Sequence, residues 1–275
     1  MGSNLFKFFF RTRNGVRQGG IISPTYFNIY MDDLSHLLNN SLFGCNLNNV
    51  YFNHFFYADD SCLLATSPSA LQKLIDICAK YATEHDITYN ELKYHCMLFK
   101  PKYLKTLNSP FVYLHGKVLE FISNIKYLGV YISDNLSDKT DMERHKKFIY
   151  IKGNYILSHF KKCSVDVKCK LFDTFCKNIY GGHMWVNYTK SNLNSVKVSF
   201  NNIYRFLFKV NRGESISQAM LYSNTDNFTV ILRKQAGSFR KRLASSTNTL
   251  ISTIFNSVFF MFHSAMSSLW RVLLF

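Results

Sequence analysis

Hydrophobic positions in the first half of the chain switch between two periods. Phe27, Tyr30, Met31, Leu34, Leu37 and Leu38 recur at the three-to-four-residue spacing of one helix face. Ser23-Pro24 stands just ahead of them and reads as a start signal. Ser can accept from free backbone N–H groups, and Pro fits the first helical position. Ser67-Pro68 opens a second helix, with Leu71, Leu74, Ile75, Cys78 and Tyr81 on one face. Between the two helices, residues 50–57 are rich in aromatics and residues 61–66 form a short apolar run. Both predict strands, with Ala58-Asp59-Asp60 at the turn. Further short strands are predicted over 87–89, 94–99, 111–114, 118–121 and 125–132, with Gly116 in a turn. After Asp138 the strand pattern stops, and 139–162, 165–180 and 193–209 predict helices. The fold class is therefore α+β: a mixed sheet with packed helices, followed by a mostly helical part.

Composition adds a core and a direction. Apolar residues make up 47% of the 275 residues, enough to exclude a globally disordered chain. The formal net charge is +16, which favours a polyanionic partner without choosing between nucleic acid and anionic lipid. That charge is uneven: the net is +1 over residues 1–138, +11 over 139–212 and +4 over 213–275. Acids are scarce between Lys146 and Lys209, whereas an ordinary solvated face mixes both signs. Three regions follow: 1–138, 139–212 and a C-terminal helical extension over 213–275. Seven cysteines without regular spacing predict reduced thiols in an intracellular protein, nuclear or cytoplasmic and not secreted.

The most chemical feature is Tyr57-Ala58-Asp59-Asp60. Two adjacent carboxylates at the tip of an apolar hairpin repel one another, and a divalent cation relieves the repulsion. Mg²⁺ takes hard oxygen ligands and shares itself between a few carboxylates and substrate phosphates. Two-metal phosphoryl or nucleotidyl transfer uses that arrangement. Taken alone, an Asp-Asp pair is more often a polar turn. Phe52, Phe55 and Phe56 before it and Leu63 and Leu64 after it predict that the pair sits between two buried strands.

Several motifs in one order carry a family resemblance. The run Gly15-Val16-Arg17-Gln18-Gly19-Gly20-Ile21-Ile22-Ser23-Pro24 resembles the templating-base motif of reverse transcriptases from non-LTR (LINE-type) retrotransposons. Residues 27–34 continue the match, Tyr57-Ala58-Asp59-Asp60 resembles the catalytic turn, and Ile87-Thr88-Tyr89-Asn90 with Lys93 resembles the next palm motif. Tyr127-Leu128-Gly129 resembles the primer-grip hairpin. The resemblance implies a partial polymerase palm over 1–138 and a basic thumb over 139–212. It makes Asp59 and Asp60 the catalytic and metal-binding pair for Mg²⁺. Template and nucleotide would be met by Gln18, Gly19, Gly20, Ser23, Pro24, Tyr57, Ala58 and Lys93. Gly19 and Gly20 would let backbone approach a base, and Gln18 would offer a donor and an acceptor. Lys93 would reach the triphosphate, with a solvated strand-end lysine the equal alternative. Asp32 and Asp33 are read as structural, in the first half of a helix where acids suit the dipole. The implied partners are an RNA template with a DNA primer or an RNA–DNA hybrid, and dNTP. Lys146, Lys147, Lys152, Lys161 and Lys162 would meet the phosphates.

One part of the pattern is missing. The family's palm takes a third carboxylate from a strand upstream of the Gln-Gly motif, and none of the 17 residues before Gln18 is Asp or Glu. The resemblance thus implies a C-terminal part of a reverse transcriptase, inactive by itself. The alternative is a catalytically dead remnant that still holds nucleic acid. Cys163, Cys169 and Cys176 near His159 and His183 lack the paired spacing of a zinc framework and are read as helix thiols. Residues 254–270 carry no charge, but polar residues interrupt the stretch, and no membrane partner is expected.

Overall fold

Pro24 fixes the entry of the first helix, but the capping differs from the expectation. In the computed structural model, which describes residues 19–90, 93–99, 110–257, 260, 264, 266 and 267, α1 spans Ser23–Asn40. Ser23 is its first helical residue, and Ile22 takes the cap position without a side-chain hydrogen bond. Two antiparallel hairpins follow: β1 (Cys45–Leu47) with β2 (Val50–Phe52), and β3 (His54–Tyr57) with β4 (Asp60–Leu63). Next is α2 (Pro68–Glu84), where Ser67 Oγ accepts from Ala70 N as expected of an N-cap. β5 is His95–Cys96, β6 Tyr113–Leu114, β7 Lys117–Val118, β8 Glu120–Phe121, β9 Asn124–Tyr127 and β10 Val130–Ser133. The chain then becomes helical: α3 (Lys139–His159), α4 (Val165–Phe175), α5 (Lys190–Phe208), α6 (Ile216–Tyr222), α7 (Phe228–Ala244) and α8 (Thr249–Asn256). The α+β class is as predicted.

Among the described residues every sheet has two strands. Four are antiparallel hairpins with two-residue turns at Asn48-Asn49, Ala58-Asp59, His115-Gly116 and Leu128-Gly129. In three of these, all but Ala58-Asp59, both turn residues have positive φ. That backbone matches the twist of the flanking strands. The fifth sheet is the parallel pair β5–β8.

The chain forms two units. The first comprises residues 1–93 and 110–119. Its core joins Leu34 and Leu38 of α1 to Leu74, Cys78 and Tyr81 of α2, with Phe56 and Leu63 of the β3–β4 hairpin packed against them. Each fully buried side chain of this size contributes about 1.5–3 kcal/mol. The second unit comprises 94–109 and 120–275. Its core gathers Met142, Ile149 and Ile156 of α3, Phe172 of α4, Phe200 and Ile203 of α5, and Phe228 of α7. Gly153 lets α3 and α5 approach: a Cβ there would lie 2.4 Å from Ile203 Cγ2.

Several boundaries depart from the sequence pattern. Residues 50–57 are two strands, because Asn53 is 3% exposed and its carboxamide is engaged elsewhere. Residues 87–89 are not a strand. Residues 125–132 are a hairpin folded at Leu128-Gly129. The helix predicted over 165–180 ends at Phe175, and the following segment carries a 3₁₀ turn over Gly182–Met184. Asp32 and Asp33 lie in the middle of α1, so the dipole does not explain them; Asp32 faces His36 at 3.5 Å on the exposed surface.

Candidate functional site

The first unit holds the carboxylate pair. β3 and β4 are in register with Tyr57 opposite Asp60, which leaves Ala58-Asp59 as the turn. Ala58 has φ +50°, a left-handed conformation that costs an L-residue about 1–2 kcal/mol. Tyr57, Ala58, Asp59 and Asp60 are all exposed. This corrects the expectation of a pair between buried strands. On the face that carries Phe55 and its cross-strand partner Cys62, Phe55 is 42% exposed and Cys62 is half-buried. Phe56 and Leu63 on the other face pack against the core.

The base of this hairpin is fixed by a polar chain that the sequence pattern did not single out. Asn53 Nδ2 donates to Leu38 O and Phe43 O, both at 2.7 Å. With the amide so oriented, Asn53 Oδ1 accepts from His54 Nδ1 at 2.7 Å. His54 Nε2 is then the acceptor for Ser35 Oγ at 2.8 Å. Burial pushes the His54 imidazole below its ordinary value, which agrees with a neutral ring. The chain joins the C-terminal half of α1 to the first residue of β3. A polar Asn inside an aromatic run was its one sequence signal.

The other positions assigned to this unit sit at the start of α1 and at Lys93. Gly19 has φ +78°, and a Cβ there would meet nothing within 4 Å. Its glycine is required by backbone conformation, not by crowding. Gly20 O accepts from Ser23 N at 3.2 Å and starts the first turn of α1, with Pro24 just inside it. Lys93 is exposed, and its backbone N–H donates to Asn90 O. Gln18 lies outside the described residues.

Asp59 and Asp60 are hard oxygen donors and suit Mg²⁺ in kind. In number they fall short: no group of three His, Cys, Asp or Glu that could hold a metal ion occurs among the described residues.

Tyr127, Leu128 and Gly129 belong to the second unit, at the β9–β10 turn. Leu128 and Gly129 have φ +45° and +82°. Tyr180 buttresses the turn: its hydroxyl donates to Leu128 O at 3.0 Å, and a Cβ on Gly129 would lie 3.1 Å from its ring. The Tyr180 carbonyl in turn accepts from His145 Nε2 at 2.5 Å. His145 is held by burial, and next by the Arg144 guanidinium, below its ordinary value; Asp141 and the Tyr180 carbonyl pull the other way. Asp141 is 1% exposed and fully engaged. Its carboxylate accepts from Arg144 at 2.7 Å, Tyr131 N at 3.1 Å and Trp185 Nε1 at 2.8 Å. Asp138 accepts from Val186 N and Asn187 N at 2.7 and 2.5 Å. Its carboxyl is raised by burial, against which the two backbone donors act.

The basic residues line up unequally. Lys147, Lys161 and Lys162 are exposed. Lys146 faces Glu143 at 3.7 Å. Lys152 lies over the rings of Phe148 and Phe175, at 5.1 and 5.5 Å. Between these cations α3 shows solvent Phe148, Ile151 and Tyr155, the last stacked on His159 at 4.3 Å. Tyr150 and Phe160 pack against the core instead. All seven cysteines are free thiols; burial pushes Cys176 up to about 12. No helix among the described residues is long and apolar enough to cross a membrane. Most of the 254–270 stretch lies outside the described residues.

Residues 3–132 match the family model described as reverse transcriptase (RNA-dependent DNA polymerase). The match spans a little under half of the chain and includes Gln18 to Pro24, the Asp59-Asp60 turn and the Leu128-Gly129 turn. That segment is similar to a reverse transcriptase domain. No curated protein matches the chain.

Proposed function

We propose that the chain is part of an RNA-directed DNA polymerase of the non-LTR, LINE-type class. In this reading residues 1–138 are a partial palm, 139–212 a thumb and 213–275 a C-terminal extension. The observation that carries it is the solvent-facing Asp59-Asp60 pair on a strained two-residue hairpin, within the segment that matches the reverse transcriptase model. Asp59 is the direct metal ligand and Asp60 its support. Bound Mg²⁺ would neutralise charge on a nucleoside triphosphate and its leaving group. Asn53 and His54 hold the hairpin base, and Ala58 sets the direction of the tip. On the second unit, Leu128 and Gly129 present a rigid turn to a primer strand. The α3 stripe of Lys147, Lys152 and Tyr155 meets a primer–template backbone.

Asp59 and Asp60 do not by themselves complete a two-metal site, and no third metal-binding group joins them among the described residues. By itself the chain therefore binds an RNA–DNA hybrid and does not extend a primer. The same shortfall favours the second reading, a nucleic-acid-binding remnant. Primer extension on an RNA template with Mg²⁺ or Mn²⁺ tests both. No extension with retained hybrid binding is expected. Extension abolished by Asp59→Ala would overturn the inactivity and keep the site. Extension that survives Asp59→Ala would overturn the site.

A further inference from the structure

The second unit contains a cleft whose α7 wall none of the roles above uses. It runs between the β9–β10 hairpin, the 178–187 segment and one side of α7. Its volume is about 1200 Å³, above the roughly 300–1,000 Å³ of pockets that take one small molecule. The α7 wall is Lys234, Gln235, Ser238, Phe239 and Arg242, at the three-to-four-residue spacing of one face. The buried Ile231 and Leu232 lie on the same side of the helix, and Leu232 and Gln235 both border Gly182.

Lys234, Arg242 and Asp138 are the charged side chains that line the cleft. α7 carries five cations and no acid over its 17 residues. Asp138 is the one acid lining the cleft, and its carboxylate is turned to the backbone donors of Val186 and Asn187. Lys234 is held by Asp226 at 2.7 Å, which leaves Arg242 as the principal cation at the wall. Arg242 lies 5.7 Å from the Phe239 ring, which also packs on His183 at 4.5 Å. Tyr180, 55% exposed, supplies an aromatic surface held in place through its hydroxyl. Gln235 donates to Ile179 O at 3.1 Å, and its buried Oε1 has no hydrogen-bond partner among the described residues. A native structure leaves such an acceptor unmet for a reason.

We propose that this cleft holds an unpaired stretch of single-stranded nucleic acid, with a base against Tyr180 and a phosphate at Arg242. A duplex hides its base faces and could not use the aromatic and amide wall. An unpaired strand uses all three kinds of group at once. The assignment rests on the nucleic-acid-binding reading above and adds a site separate from the α3 lysines. The C-terminal extension then holds strand that is not yet, or no longer, paired.

Fluorescence anisotropy with a labelled 12-nucleotide oligo(U) and a 12-base-pair RNA–DNA hybrid tests it on the full chain. Ser238→Glu places a negative charge in the cleft without removing packing, and Arg242→Ala removes its cation. Lys241→Ala, off the cleft on the same helix, is the charge control. Ser238→Glu is expected to weaken oligo(U) binding on the order of tenfold, the scale of one lost charge-assisted contact. Hybrid binding should shift less than twofold, and thermal melting shows that each variant folds. If hybrid binds but oligo(U) is indifferent to Ser238→Glu, the cleft assignment falls and the wider reading stands. If oligo(U) binding needs the cleft and hybrid does not bind at all, the wider reading falls. Equal losses with Lys241→Ala would reduce the effect to overall charge and overturn the site.

Discussion

The Tyr180 hydroxyl donates to Leu128 O at 3.0 Å across 52 residues of sequence, and its ring fills the space beside Gly129. Gly129 is thus needed twice, for its φ of +82° and for the close ring. Gly129→Ala is expected to destabilise the second unit by about 1–3 kcal/mol, the cost of a residue held in a sparsely populated backbone region. Tyr180→Phe removes only a partly exposed hydrogen bond and should cost about 0.5–1.5 kcal/mol at most. Denaturant midpoints of the two variants check the order. A larger loss for Tyr180→Phe would contradict it.

Gly153 makes a second close approach, this time between helices. Gly153→Ala pushes a methyl to 2.4 Å from Ile203 Cγ2. Overpacking of this kind costs about 1–3 kcal/mol. Ile203→Val in the same chain removes the Cδ1 that would lie at 2.7 Å but keeps Cγ2, so it should recover only part of the loss. Urea unfolding of the single and double variants gives the coupling energy.

The Asn53 carboxamide is expected to matter more than its size suggests. Asn53→Ala removes the side-chain donor to Phe43 O and the acceptor of the His54 Nδ1–H, while Leu38 O keeps Ser41 N and Oγ. Each unmet buried group costs about 1–3 kcal/mol. The loss should also show as faster amide exchange across residues 54–63. Unchanged exchange there would mean that the hairpin does not depend on Asn53.

Three histidines set an acid sensitivity. His54, His145 and His183 are all held below their ordinary value of 6.5, each chiefly by burial. The unfolded chain therefore binds protons that the folded chain refuses. Stability should be full above about pH 7 and fall as pH drops through 6.5 toward the lower folded values. Asp138, raised by burial, acts with the opposite sign only in the more acid carboxylate range. Melting temperatures between pH 7.5 and 5.5 check the slope, and His54→Asn should flatten it.

Hybrid binding through α3 should weaken steeply with salt. Lys147→Ala is expected to reduce the slope of log affinity against log salt by about one, a single phosphate contact. Lys146→Ala should change it less, because Lys146 already faces Glu143. A slope indifferent to Lys147 would move the contact elsewhere.

Local patterns made most of the elements legible. The helix from Pro68 and its Ser67 cap, the turns around Asp59 and Gly116 and the helical second half follow from spacing and turn chemistry within a few residues. Long-range demands defeated the rest. Residues 50–57 look like one strand until Asn53 is seen bonded to carbonyls 10 and 15 residues away. Nothing near Asp141 announces that Trp185 will donate to it from 44 residues on. The carboxylate pair was legible as a turn but not in its exposure. Whether a hairpin is covered on one face or two depends on partners that apolar alternation does not name.

Ala58 has a consequence for motion. Glycine would adopt its φ of +50° without strain, and an alanine there gives up about 1 kcal/mol. The same methyl closes off most of the other conformations that a glycine tip would sample. The hairpin is therefore stiffer than it need be for stability alone. Asp59 and Asp60 stand on a pivot that does not swing freely, so the backbone beneath them is already set in the free chain.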